Sequence, residues 1–170
     1  MPKGVVSIPV SLFESSKGRY FVGQSGLLHF GNGKNAWCGL FNPCSSQVKL
    51  HVNVFTITNL SDTDFLAEIW FNPELHGKET VSDLVTPANR AICPRPRPEV
   101  ELIFADDVRC SPEGGVNAFA REVAPKTTIA QDEDGKYIIP EGESFTIFLI
   151  GQEVSCLQAR VAFGWWEERC

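Results

Sequence analysis

The sequence predicts an all-β chain folded as an antiparallel β-sandwich, jelly-roll-like, with about nine or ten strands and little or no helix. Three observations carry this expectation. Apolar and polar residues alternate along most of the 170 residues, the period of an extended chain with one buried face. Asn-Gly and Asp-Gly pairs punctuate the alternation where tight turns need positive φ. No long stretch repeats apolar residues at helical spacing.

The first element is an N-terminal strand-like arm and linker, residues 1–17, ahead of a sandwich domain over residues 18–170. Val6, Ile8, Val10 and Leu12 alternate with Ser7, Pro9 and Ser11, and a hydrophilic Glu14-Ser15-Ser16-Lys17-Gly18 link follows. Such an arm serves either as the first strand of its own sheet or as a strand added to a neighbour's sheet, with Pro9 marking an edge position. Gly26 to Phe41 reads as a hairpin across Gly31-Asn32-Gly33. In that register Gly31 faces Lys34, His29 faces Ala36 and Cys38 faces Leu27, so Cys38 and His29 form no nucleophile and base pair.

Gln47 to Asn72 is the clearest strand pair. Val48, Leu50, Val52 and Val54 define a greasy face, with Lys49, His51 and Asn53 on a wet one. Asn59-Leu60-Ser61 is a formal glycosylation sequon, read here as turn chemistry. Asn72 to Pro98 is a long polar connection in which Pro94, Pro96 and Pro98 remove alternate N–H donors, as on a sheet edge that refuses unwanted strands; a polyproline ligand is the competing reading. Glu99 to Ala105 is a strand. Val116 to Val123 carries Phe119 and Val123 at helical spacing, but the adjoining Gly114-Gly115 makes a strand at least as good a reading. Thr127 to Ile139 repeats the hairpin device around Asp134-Gly135. Its acidic run fails as an EF-hand, since Tyr137 stands where glycine is required and Lys136 takes a ligand position. Ser144 to Ile150, introduced by Pro140-Glu141-Gly142-Glu143, and Ser155 to Trp166 complete the strands.

Function is read mostly by exclusion. A net charge of −6, with Lys and Arg scattered along the chain, offers no surface for nucleic acid. The N-terminus lacks a secretory h-region, and no window is apolar enough to enter a membrane. Asp106-Asp107 and Glu167-Glu168 point to opposite strand faces and make no acid–base pair. His29, His51 and His76 are dispersed, and the six cysteines lack metal-knuckle spacing, so no metal or other cofactor and no enzyme activity is expected. Most cysteines read as small buried residues. Cys170, following Glu167-Glu168-Arg169, reads instead as an exposed thiol available for an intersubunit disulfide. Trp165 and Trp166 must face opposite sides of a strand, so at most one joins the core and the other meets solvent, a ligand or another subunit.

The segments NVFTITNLSDTDFLAEIWFNP, LVTPANRAICP and RVAFGWWEE resemble an uncharacterised family of small all-β proteins from spore-forming Firmicutes. More loosely, the chain resembles jelly-roll subunits of endospore appendages, which implies disulfide-linked fibres released without a signal peptide. It differs from them in having no cysteine in its N-terminal arm, so a covalent link would use Cys170 or a core cysteine. The expected function is therefore a non-enzymatic, self-assembling structural protein of a spore-associated or surface filament whose partner is itself. The alternatives are a carbohydrate-type ligand-binding sandwich and a cytoplasmic location.

Overall fold

The computed structural model describes residues 6–153 and 156–170. It contains one helix, α1 (Val10–Ser16), and twelve strands: β1 (Tyr20–Gln24), β2 (Leu28–Phe30), β3 (Asn35–Phe41), β4 (Val48–Asn59), β5 (Phe65–Phe71), β6 (Thr80–Val81), β7 (Val85–Pro87), β8 (Glu101–Val108), β9 (Val116–Val123), β10 (Thr128–Ile139), β11 (Ser144–Ile150) and β12 (Leu157–Arg169). They form two six-stranded sheets. One runs β10-β4-β12-β1-β7 with β2 also on β12, and the other runs β6-β8-β3-β11-β5-β9. All pairings between named strands are antiparallel. Eight strands pair in a nest: β1 with β12, β3 with β11, β4 with β10 and β5 with β9. Nesting of this kind is a long hairpin rolled on itself, the jelly roll. Of the four remaining strands, β2 pairs with β12, and β6, β7 and β8 come from the segment between β5 and β9.

Between the sheets lies a continuous core that includes Leu50, Phe55, Ile57, Phe65, Phe145, Ile147, Val161 and Trp165. Each side chain of this size contributes about 1.5–3 kcal/mol on full burial, so the core supplies the main driving force for closing the sandwich. A second, smaller cluster of Trp37, Ile103, Ala105, Val108 and Phe148 covers the outer face of the β3 sheet. Leu75 packs on it, and the Trp37 indole donates to the carbonyl of His76 at 2.7 Å. The first part of the 72–98 connection therefore caps this face, and β6 and β7 then extend one edge of each sheet.

Several local expectations are corrected by the fold. Val10 to Ser16 is helical rather than extended. Pro9 precedes it with φ −57° and ψ 143°, and its carbonyl accepts from the N–H of Phe13 at 3.0 Å. Paired with no strand, the segment satisfies its backbone internally. Met1 to Val5 of the arm lie outside the described residues, as does Ser155 of the final strand.

The turn at Gly31 to Lys34 forms, closed by two backbone bonds, but its arms separate. β2 joins β12 and β3 lies between β8 and β11, so His29 faces Gln158 and not Ala36. Residues 128–139 are one long strand on β4. Asp134 and Gly135 take positive φ in a bulge between Asp132 and Tyr137. Pro94, Pro96 and Pro98 belong to no strand; they lie in the connection to β8. A bulge at Asn53 reverses the phase of β4, since Trp165 pairs with Val52 and Gly164 with Val54. Val54 thereby turns outward while Phe55 and Ile57 enter the core.

Candidate functional site

Cys38 is fully buried in the core, and burial pushes its thiol pKa up, the opposite of an activated nucleophile. Among the described residues no group of three or more Cys, His, Asp or Glu is placed to hold a metal ion, and no helix is long and apolar enough to cross a membrane.

The two adjacent tryptophans do point to opposite faces. Trp165 is in the core, packed on Phe21 at a ring separation of 5.9 Å. Trp166 lies on the outer face yet is only 5% exposed, which corrects the expectation that it meets solvent, a ligand or another subunit. Its cover comes from within the chain. His51 stacks on it at 5.0 Å, Tyr20 at 6.4 Å, and the Gly135 bulge closes over its six-membered ring. The His51 ring faces the carbonyl of Gly135 at 3.1 Å and the Glu168 carboxylate at 3.0 Å. Hydrogen bonding from His51 holds the Glu168 carboxyl below its usual range. Trp37 and Trp165 are fully buried, and Trp70 is partly covered and donates to Glu68 at 2.9 Å.

Beside this cluster the outer face of the β12 sheet carries an open groove of about 370 Å³. Val22, Val54, Ala162, Gly164 and Leu84 give it an apolar floor and wall, with Gln24, Thr56 and Thr86 as polar groups. Its floor is low because β12 presents Ala162 and Gly164 there. A Cβ at Gly164 would lie 2.5 Å from the Tyr20 hydroxyl, which itself accepts from Asn53 at 2.9 Å.

The cysteines are the feature the sequence misjudged most. Only Cys38 is buried; Cys44, Cys93, Cys110, Cys156 and Cys170 are exposed free thiols. The topology sorts these five between the two ends of the sandwich. Cys44 lies in the β3–β4 connection. Cys170 donates its N–H to Gln47 of that same connection at 3.0 Å. Cys93 lies in the connection that enters β8 opposite Phe41. At the other end, Cys110 follows β8 where Val108 pairs with Asn35, and Cys156 precedes β12 where Leu157 pairs with Phe30. Of the predicted arm residues, Val6, Ile8, Val10 and Leu12 are all exposed, and α1 buries none of its side chains.

Asn59 is buried. It donates to the carbonyls of Thr63 and Val123 and accepts from the N–H of Ser61, so the sequon residue performs turn chemistry as expected. Glu167, read from the sequence only as half of an acidic pair, has a structural role. Its buried carboxylate accepts from the N–H groups of Glu99 and Val100 at 3.0 and 3.1 Å and from the Trp165 indole at 3.2 Å. Desolvation raises its pKa against these bonds. Its alternation between Trp166 and Glu168 on a strand was the available sign that it points inward.

A family model matches residues 2–170, and the family is described as one of unknown function (DUF6143). No curated protein and no solved structure matches the chain.

Proposed function

We propose that this chain, which belongs to the DUF6143 family, is a non-enzymatic structural subunit that assembles with copies of itself and is locked by intermolecular disulfides. The observation that carries this reading is the division of five exposed thiols between the two ends of one sandwich. A disulfide needs Cα atoms within about 7 Å, and all six cysteines of the folded chain are free. Oxidation of the folded protein then joins chains rather than stapling one. The exposed arm, Val6 to Phe13, supplies apolar surface for a non-covalent contact that precedes the covalent one. A spore- or surface-associated filament is the setting that the sequence resemblance implies.

Oxidation here is thiol–disulfide exchange with a low-molecular-weight disulfide such as oxidised glutathione. One protein thiolate attacks it and releases one glutathione thiolate. A second chain's thiolate then attacks the mixed disulfide, releasing the other and closing the protein–protein bond. Treated in this way, wild-type protein is expected to give a ladder on non-reducing gels and ordered assemblies by negative-stain microscopy. Cys170→Ser should stay within about 0.5 kcal/mol of wild-type stability, because an exposed side chain is changed, while its assemblies become sensitive to denaturant. Deleting Met1 to Phe13 should leave a folded core that no longer assembles. Assembled wild-type protein that runs only as monomer without reductant ends the disulfide reading.

The groove favours a second reading, a binding sandwich for a small apolar ligand. Ala162→Trp fills the groove floor; it should abolish ligand binding under that reading and leave assembly unchanged under the first.

A further inference from the structure

Lysine and arginine are scattered in the sequence, yet the fold gathers four of them around one recess of about 310 Å³ at the Cys93 and Cys170 end of the sandwich. Lys17 and Arg19 flank Gly18, which turns with φ +74° after α1. A Cβ on Gly18 would sit 2.8 Å from both Ile92 and Pro96, so the connection carrying Arg97 lies directly against this turn. Arg169 arrives from the end of β12, and Phe21 and Val48 contribute apolar lining.

The carboxylates nearby offset part of this charge and leave a positive excess. Arg19 is paired with Glu14 at 2.6 Å. Both Glu167 oxygens are engaged by the Glu99 and Val100 N–H groups and the Trp165 indole. Glu99 is the other acid of the lining. Among the described residues, Lys17, Arg97 and Arg169 make no ion pair. With Arg19 paired to Glu14, Lys17, Arg97 and Arg169 outnumber the Glu99 and Glu167 carboxylates of the lining, so the recess is locally positive in a protein of net charge −6 and attracts an anion.

We propose that this recess binds a small, free, multivalent oxyanion of the phosphate type. Guanidinium groups match the spacing of phosphate oxygens with paired N–H donors, and lysine adds a mobile point charge. The volume is at the small end of ligand sites, enough for a diphosphate and too little for a folded segment.

The test is calorimetric titration of the full chain with inorganic pyrophosphate at constant ionic strength. Wild-type protein should bind one equivalent saturably. Arg97→Gln with Arg169→Gln should weaken binding at least about tenfold, as loss of two charge-assisted contacts requires. Arg90→Gln with Lys78→Gln makes the same change in net charge outside the recess and should leave affinity within about twofold, because screened distant charges contribute little. No saturable binding by wild type, or equal weakening in both double variants, overturns the site. Sedimentation with vesicles containing phosphatidic acid separates the sources of phosphate. Protein remaining in the supernatant supports the free ligand, and co-sedimentation abolished by the Arg97 and Arg169 changes overturns that assignment.

Discussion

Gly135→Val is expected to destabilise the protein by at least about 3 kcal/mol, combining overpacking with a forbidden backbone. An ideal Cβ at Gly135 falls 1.7 Å from Cη2 of Trp166, and the residue sits at φ +67°. Neither side can give way cheaply. Trp166 is held by stacking from His51 and Tyr20, and the bulge is held by the His51 contact to the Gly135 carbonyl. Gly33→Val isolates the backbone contribution, because Gly33 has φ +74° with nothing within 4 Å of its Cβ position. It should cost only about 1–2 kcal/mol. Equal losses for the two variants in urea titrations would show that the bulge does not close on Trp166.

The second large effect is expected at Glu167. Glu167→Ala leaves two backbone N–H groups and the Trp165 indole without their acceptor. A cost of about 3 kcal/mol follows, since relief of a buried carboxylate offsets part of three lost charge-assisted bonds. Glu167→Gln keeps one acceptor oxygen and should lose less. The pH dependence separates charge from hydrogen bonding. Burial raises the folded-state pKa of Glu167 above its ordinary value. Between the ordinary and raised values the folded chain holds a proton that the unfolded chain has released, so stability falls as pH rises through that window. Glu167→Gln should flatten this part of the curve. A wild-type stability that instead rises with pH there, with no change in the glutamine variant, would mean that the carboxylate is not desolvated.

Legibility differs sharply between these two sites. Glu167 sits one residue from Trp166 and two from Trp165, so alternation alone carries the information that it shares the inward face of β12. Gly135 was legible as a residue needing positive φ, and it has φ +67°. Its neighbour across the sheet was not. The same Asp-Gly signal serves a hairpin or a bulge, and the choice depends on whether the following residues return to the same partner strand. Here both halves of β10 pair with β4, a partner strand far away in the sequence.

The sequence by itself determined the all-β class, the two-sided character of the strands, the turns at Asn32 and Asn59, and the opposite facing of Trp165 and Trp166. These follow from local chemistry: the period of two, positive φ at glycine and asparagine, and side-chain bonds across a few residues. Tertiary structure decided which strands became neighbours, that the first hairpin's arms would enter different sheets, and that Trp166 would be roofed by β10. It also placed five thiols at the surface and brought Lys17, Arg19, Arg97 and Arg169 around one recess. Those outcomes depend on pairings between distant segments, where the free energy comes from burying whole faces together, and alternation records only that a face is apolar, not which face will cover it.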